Sequence, residues 1–209
     1  FLCENLVYDK VEDPEDFFNL SFEKELESIG MEEDKLISDM REQAKLISPQ
    51  IMPQLTKIFG EYEVFSVEEQ LYEDIVDSDT GYKFKGFIDL VVRTSDGKFH
   101  IIDWKTCSWG WDAKKRSDKY ITYQLTLYKK FWCQKYDIDP KLVETHFALL
   151  KRTAKKDNVE IFRVTSGPRK VENATKLLTT ALVHISKQNH VKDRRSCQGC
   201  EFYKTEHCK

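Results

Sequence analysis

Two aspartates and a lysine lie in neighbouring segments whose apolar residues suggest β-strands. Asp89 stands in GFIDLVV, and Asp103 and Lys105 stand in IIDWKT. Side chains two residues apart on a strand project from the same face, so Asp103 and Lys105 can act on one substrate. Whether Asp89 shares that face depends on the turn between the two strands.

The turn contains the sequence Ser95-Asp96-Gly97. A two-residue loop of Asp96 and Gly97 would pair position 89 with 104, whereas a three-residue loop pairs 94 with 98 and therefore 89 with 103. The three-residue loop is favoured, because it ends on a residue with positive φ and glycine adopts that conformation without steric cost. We therefore expect Asp89 to face Asp103.

Two carboxylates that lie side by side repel each other, and their burial is costly unless a cation joins them. Mg²⁺ or Mn²⁺ would relieve this repulsion, and Mg²⁺ completes its coordination with water and phosphate oxygens. Lys105 could then orient or deprotonate an attacking water and offset charge in the transition state. The alternative is a salt bridge between Lys105 and either aspartate without any catalytic role.

The remaining pattern alternates between helical and strand periods, with turns at glycine-rich or polar positions. This order predicts an α/β or α+β sandwich with a mixed central sheet flanked by helices. The predicted helices cover residues 13–30, 32–59 with a break near Pro49 and Pro53, 116–137 and 169–188; the predicted strands cover 64–76, 82–93, 98–106, 145–152 and 158–165, with a turn at 77–81.

The chain has 209 residues, a length that favours one domain over residues 1–209. Residues 1–80 carry 22 acidic and 6 basic side chains, and the remainder carries 14 and 27. The basic part is typical of a polyanion-binding protein, and the acidic part is either a solvated surface or a metal-collecting wall. No apolar run suits a membrane helix and the start lacks signal-peptide features, so we expect a cytoplasmic protein, in the host cytoplasm if it is viral.

The stretch GFIDLVVRTSDGKFHIIDWKT resembles the RecB-like branch of the PD-(D/E)XK nuclease superfamily. The resemblance implies a restriction-endonuclease-like core and a Mg²⁺-dependent deoxyribonuclease, with exonuclease activity in DNA recombination, repair or processing. It also implies that Asp89, Asp103 and the backbone carbonyl of Trp104 bind the metal, and that Lys105 assists the attacking water.

Two helix motifs extend the resemblance. YITYQLTLYKKF matches the Q-x-x-x-Y signature of RecB-like nucleases, which implies that Gln124 and Tyr128 position the scissile strand; otherwise they are a surface glutamine and a packed tyrosine. The G-x-x-x-H motif expected on the first helix is altered, with Asn19 at the glycine and Glu23 at the histidine. Glu23 is either a further metal ligand or a solvated helix charge. Glu68 and Glu69 are weaker candidates.

Three of the cysteines, Cys197, Cys200 and Cys208, crowd into the last thirteen residues with a spacing typical of metal ligands. With Cys3, they resemble the four cysteines that hold a 4Fe-4S cluster in AddB-type and CRISPR-associated RecB-like nucleases. That resemblance implies that segment 197–208 packs with Cys3 and closes the tail onto the N-terminus. Zinc is the alternative metal, with His207 able to replace one cysteine.

Two aromatic side chains and then four basic ones precede the Q-x-x-x-Y motif, a combination that can hold a phosphate backbone and stack unpaired bases. They are Trp109, Trp111, Lys114, Lys115, Arg116 and Lys119, and the alternatives for them are a hydrophobic core and a solvated face. We therefore expect DNA with single-stranded character as the partner, with a helicase or recombination protein as a further possibility. The competing hypotheses are an accessory, non-catalytic DNA-binding subunit of a recombination or spacer-acquisition complex, and a structural metal-binding partner of such a complex.

Overall fold

The computed structural model describes residues 2–75, 81–189 and 194–208, and most of the turn predicted at 77–81 lies outside them. No helix within these ranges is long and apolar enough to cross a membrane. The helices are α1 (Leu2–Tyr8), α2 (Pro14–Ile29), α3 (Lys35–Phe59), α4 (Ala113–Ser117), α5 (Lys119–Tyr136) and α6 (Pro168–Ser186), with short 3-10 turns at Pro140–Leu142 and Arg194–Gly199. The strands are β1 (Tyr62–Asp74), β2 (Lys83–Thr94), β3 (Phe99–Cys107), β4 (Val143–Lys151) and β5 (Val159–Val164).

The five strands form one sheet in the order β1-β2-β3-β4-β5. Strands β3 and β4 are parallel and are connected through α5, whereas the other neighbours are antiparallel. This confirms the predicted mixed central sheet. Since a parallel connection needs a crossover, the β3-α5-β4 unit places α5 over one face of the sheet.

Both faces of the sheet are covered. On one face, Leu125, Phe131 and Trp132 of α5 are fully buried in a core with residues of β1 to β5. On the other face, α1 and α3 pack against the sheet, and Leu55 of α3 is fully buried there. The result is a three-layer α/β/α arrangement that fits the restriction-endonuclease-like core.

The β2–β3 hairpin has the predicted register. Leu90 lies opposite Ile102, which corresponds to a three-residue turn, and Gly97 has a φ of 82°. The preference for the three-residue loop is confirmed. Continued by one residue, this register sets Asp89 opposite Asp103.

Helix α3 is continuous from Lys35 to Phe59, so the predicted break near Pro49 and Pro53 is wrong. A proline inside a helix removes a hydrogen bond and clashes with the preceding turn. Here Ile51 and Leu55 are buried against the sheet, and this packing outweighs the local cost of both prolines.

Helix α1 was absent from the predicted elements. It has only seven residues, Leu2 to Tyr8, too few to form in isolation. Its residues Leu6 and Val7 are buried in the same core as α3, so tertiary packing stabilises it. The helix also carries Glu4, which is 2% exposed.

Candidate active site

The β2–β3 hairpin gathers the two aspartates and the lysine singled out by the sequence. Lys105 Nζ lies 2.6 Å from Asp103 Oδ2, and the Asp103 side chain is 2% exposed whereas that of Lys105 is 33% exposed. The backbone N–H of Trp104 donates a hydrogen bond to Asp89 Oδ2 at 2.6 Å. Asp89 is thereby held against the segment that carries Asp103 and Lys105.

Two glutamates join this cluster from other elements. Single carboxylate oxygens of Glu4, Glu68 and Asp89 lie within 4.8 Å of one another. Glu68 has a φ of 47°, a left-handed conformation that is uncommon for a residue other than glycine. The arrangement of oxygen donors suits a hard divalent cation such as Mg²⁺ or Mn²⁺.

Burial and mutual repulsion perturb the carboxylates. Burial raises the pKa of Asp89 from 3.8 to about 7, with the negative charges of Asp103 and Glu4 adding to the rise and the Trp104 N–H opposing it. Burial also raises the pKa of Asp103, although the Lys105 ammonium opposes this. A proton or a metal ion bound at the cluster relieves this accumulation of negative charge.

Helix α5 contributes the two polar residues of the Q-x-x-x-Y motif. Gln124 Nε2 donates hydrogen bonds to Asp103 Oδ1 at 3.0 Å and to Tyr128 Oη at 3.1 Å. Tyr128 is buried, and its ring lies so close to β2 that a Cβ added at Gly86 would stand 2.7 Å from Tyr128 Cε1. Gly86 therefore makes room for the tyrosine, a role that no local sequence signal indicates.

The family model of the PD-(D/E)XK nuclease superfamily matches residues 5–205. This chain belongs to the PD-(D/E)XK nuclease superfamily. Nucleases of this superfamily use divalent metal ions, in agreement with the oxygen donors gathered by the hairpin.

A solved structure of low sequence identity shares the fold of this superfamily member, and a second one gives a weaker structural match. A protein from Eubacterium rectale that carries the name "Putative exonuclease" is 15% identical, with a TM-score of 0.56 over 96% of this chain and 71% of that chain. The protein SSO0001 is 18% identical, with a TM-score of 0.42 over 79% of this chain and 73% of that chain. No curated protein gives a significant match.

Glu23 does not lie in the cluster of this nuclease-family chain. Its carboxylate pairs with Arg41 Nη2 at 2.7 Å, and its side chain is 56% exposed. The neighbouring residues Phe22 and Leu26 pack α2 against α3 rather than against the sheet, which leaves Glu23 at the surface. The helix carboxylate beside Asp89 is Glu4, which sequence reasoning missed.

Of the two weaker candidates, Glu68 lies in the cluster and Glu69 does not. Glu69 forms an ion pair with Lys135 of α5 and accepts a hydrogen bond from Tyr136 Oη at 2.8 Å. The backbone carbonyl of Trp104 stays a predicted metal ligand. The backbone contact that the structure shows for Trp104 at this site is the hydrogen bond from its N–H to Asp89.

The structure does not bring the four candidate cluster cysteines together. Among the described residues, no group of three or more possible ligand atoms within 4.8 Å of one another contains a cysteine. Cys3 packs against the apolar core, and burial, with the charge of Glu4, raises the pKa of its thiol to about 12. Cys200 and Cys208 are exposed. The thiols therefore do not fit an iron-sulfur or zinc site in this arrangement, and the closing of the tail onto the N-terminus stays a prediction.

A second group of possible ligands lies at the opposite end of β3 and β4. His100 Nδ1 and His146 Nε2 are 3.1 Å apart and buried, and Glu144 is nearby. Glu144 also lies 3.6 Å from Lys98 Nζ and 3.3 Å from Arg163 Nε. Burial lowers the pKa of both histidines, to about 3 for His146, where the neighbouring His100 adds to the effect.

Of the basic and aromatic residues that follow β3, some are buried or hydrogen-bonded within the fold and others are exposed. Trp111 is buried, and Arg116 donates to its backbone oxygen and to Glu160 Oε1. Trp109 is 73% exposed, so it does not belong to the hydrophobic core. Lys114 and Lys115, which follow Trp109 in the sequence after four residues, are also exposed.

Proposed function

We propose that this chain is a Mg²⁺- or Mn²⁺-dependent deoxyribonuclease that acts as an exonuclease. The observation that carries the proposal is the meeting of Asp89, Asp103 and Lys105 on one hairpin of a PD-(D/E)XK fold. The pair of Lys105 and Asp103 alone would not distinguish a catalytic site from a structural salt bridge. The half-buried Asp89 and the buried Glu4 beside it, however, are costly without a cation.

The metal would be held by Asp89, Asp103 and Glu4, with Glu68 and the Trp104 carbonyl as further ligands. All of these donors are oxygens, which suits Mg²⁺ and Mn²⁺ better than soft metals. When bound, such an ion polarises the scissile phosphate and lowers the pKa of the attacking water.

Lys105 would act on the substrate side of the cluster. Its ammonium pairs with Asp103 and is one-third exposed, so it can also reach a phosphate oxygen or a water outside the pair. There it would hold the water in line with the scissile bond and offset negative charge in the transition state.

Gln124 and Tyr128 would position the reacting groups. Gln124 donates to Asp103 Oδ1, which leaves Asp103 Oδ2 directed to Lys105. Tyr128 accepts the second Gln124 hydrogen bond and fixes the amide orientation. The glutamine thus orients the catalytic carboxylate, and through it the scissile strand.

DNA with single-stranded character is the substrate that we propose. The exposed Trp109, two residues beyond the end of β3, provides a surface on which an unpaired base can stack. Lys114 and Lys115 follow it and suit the phosphate backbone. We further propose that residues 1–209 form a single nuclease domain and that it acts in DNA recombination, repair or processing.

The experiment compares end-labelled linear DNA with covalently closed circles, each in Mg²⁺ and in EDTA. An exonuclease degrades the linear DNA in Mg²⁺ only and leaves the circles intact. Cleavage of the circles would show an endonuclease instead. DNA binding without cleavage of either substrate would support the accessory DNA-binding subunit.

The cysteine-bound cluster is a separate prediction from the resemblance, and the observed positions of the thiols do not support it. The metal content of protein purified without oxygen decides it. About four irons per chain and a brown colour, both lost in Cys208→Ser, would support the cluster. One zinc per chain would support the alternative metal.

A further inference from the structure

A large cavity lies away from the candidate active site, between the C-terminal half of α5, strands β4 and β5, and the start of α6. Its volume is about 930 Å³, and its lining contains none of Asp89, Asp103, Lys105, Gln124 or Tyr128. This volume is in the range of sites that hold nucleotide-sized ligands.

The strand register gives the separation of the cavity from the active site. Thr145, the lining residue of β4 nearest to the active site in this register, pairs with Ile101, whereas Phe147 pairs with Asp103 and Leu149 pairs with Lys105. Along the strands, the edge of the cavity therefore lies about 7 Å from Asp103 and about 13 Å from Lys105. Since none of the active-site residues lines the cavity, we treat it as a second site rather than as part of the cluster around Asp103.

The lining of the cavity is cationic. It includes five basic side chains against two carboxylates; the basic ones are Lys129, Lys130, Lys141, Arg163 and Lys176, and the acidic ones are Glu144 and Glu172. Glu144 is already engaged by Arg163 and by Lys98 from outside the lining.

Three of these cations have no close ion-pair partner among the described residues. Within residues 2–75, 81–189 and 194–208, no carboxylate forms an ion pair with Lys129, Lys141 or Lys176. Burial lowers the pKa of Lys129 and the positive charge of Arg163 adds to this effect, whereas the charges of Cys133, Glu144 and Asp139 oppose it. An anion placed among these side chains would offset their mutual repulsion.

The start of α6 adds to the positive potential. Gly167 is its N-cap, forms no side-chain capping hydrogen bond, and lines the cavity together with Pro168. The N-terminal end of a 19-residue helix carries a partial positive charge, which favours phosphate groups. The hydroxyl-bearing residues Thr165 and Thr175 also line the cavity and offer donors to phosphate or sugar oxygens.

We infer that this cavity is a second binding site for a phosphate ester, supplied by a nucleic-acid strand or by a free mononucleotide. The inference goes beyond the proposed nuclease activity, because binding at the cavity requires neither the metal cluster nor cleavage. Lys129, Lys141 and Lys176 are the residues that hold the phosphate.

Binding measured in EDTA tests the site separately from cleavage. One arm measures the anisotropy of a fluorescein-labelled single strand of about twenty nucleotides, and the other measures dAMP by calorimetry. The variant is Lys141→Ala/Lys176→Ala, and its matched control is Lys155→Ala/Lys156→Ala, since all four lysines are exposed and the latter two lie outside the lining. Lys129→Ala serves as an independent second variant.

We expect the cavity variants to raise the Kd of at least one ligand by about tenfold or more, and the control to change it by less than about twofold. If the variants lose affinity only for the labelled strand, a nucleic-acid strand supplies the phosphate. If they lose affinity for dAMP, the cavity binds a free mononucleotide. Unchanged affinity for both ligands in variants with normal melting curves, an equal loss in the control, or no binding of either ligand to the wild type would overturn the inference.

Discussion

The backbone N–H of Trp104 donates a 2.6 Å hydrogen bond to the Asp89 carboxylate across the β2–β3 hairpin. Trp104 stands between Asp103 and Lys105, so this bond fixes Asp89 relative to both. The positions of all three catalytic candidates therefore depend on the register of one hairpin. A shift by one residue would send Asp89 to the other face.

The raised pKa of Asp89 predicts a pH dependence of stability in metal-free protein. With a pKa of about 7 in the folded state and 3.8 as the ordinary value, the folded protein binds more protons between these values. This contribution to stability is present below about pH 4, is lost as the pH rises to about 7, and stays constant above. We expect the Tm of Asp89→Asn minus that of the wild type to increase across this window in EDTA.

The Mg²⁺ affinity should rise with pH, whereas the contribution of Asp89 to stability falls. Protons compete with the metal for Asp89, so the apparent Mg²⁺ affinity should rise by up to about tenfold per pH unit below pH 7 and level off above it. Calorimetric titrations at several pH values measure this. A Tm difference and a Mg²⁺ affinity that are both constant from pH 4 to 8 would show that Asp89 is not the perturbed group.

Glu4 and Glu23 form a matched pair of substitutions. Glu4 is buried beside Asp89, whereas Glu23 is exposed and paired with Arg41. We expect Glu4→Gln to raise the half-saturating Mg²⁺ concentration for DNA cleavage by about tenfold or more, and Glu23→Gln to leave it within about twofold. The reverse ranking would restore the ligand role that the sequence motif implies for Glu23.

Gly86→Ala should disturb the α5 side of the site. The added Cβ would meet Tyr128 Cε1 at 2.7 Å, so the ring must move and Gln124 loses its hydrogen bond to Tyr128 Oη. We expect a loss of about 1 to 3 kcal/mol in the free energy of unfolding together with slower DNA cleavage. Gly199→Ala is the control, because its Cβ would meet nothing within 4 Å. Unaltered stability and cleavage in Gly86→Ala would mean that the ring position is not critical.

Trp109→Ala should weaken the binding of single-stranded DNA. Stacking of a base on an aromatic side chain contributes about 1 to 3 kcal/mol, so the Kd should rise at least about fivefold in EDTA. Tyr203→Ala removes an exposed aromatic residue from the C-terminal tail and should change the Kd little. Equal effects of the two substitutions would indicate non-specific hydrophobic contact.

The register of the β2–β3 hairpin could be predicted from the sequence because residues within the hairpin itself determine it. The identity of Gly97 selects the turn, the turn sets the register, and the register sets the faces of Asp89 and Asp103. The same reasoning over a 3.6-residue period located the helices α2, α5 and α6, with ends that differ by a few residues.

The remaining features depend on contacts between distant residues. Glu4 reaches the site on a helix that exists only because Leu6 and Val7 pack into the core. Glu23 lies at the surface because its neighbour Phe22 packs onto α3. The local cost of Pro49 is outweighed because α3, which contains it, is buried against the sheet. None of these outcomes has a signature within its own segment.

Cleavage of linear DNA by Asp103→Asn and Lys105→Ala tests the proposed active site most directly. Both variants should retain the fold by circular dichroism and bind DNA in EDTA. In Mg²⁺ we expect each to cleave at least about a thousandfold more slowly than the wild type, which corresponds to roughly 4 kcal/mol of transition-state stabilisation. Cleavage at the wild-type rate by either variant would contradict the assignment of this hairpin as the catalytic site.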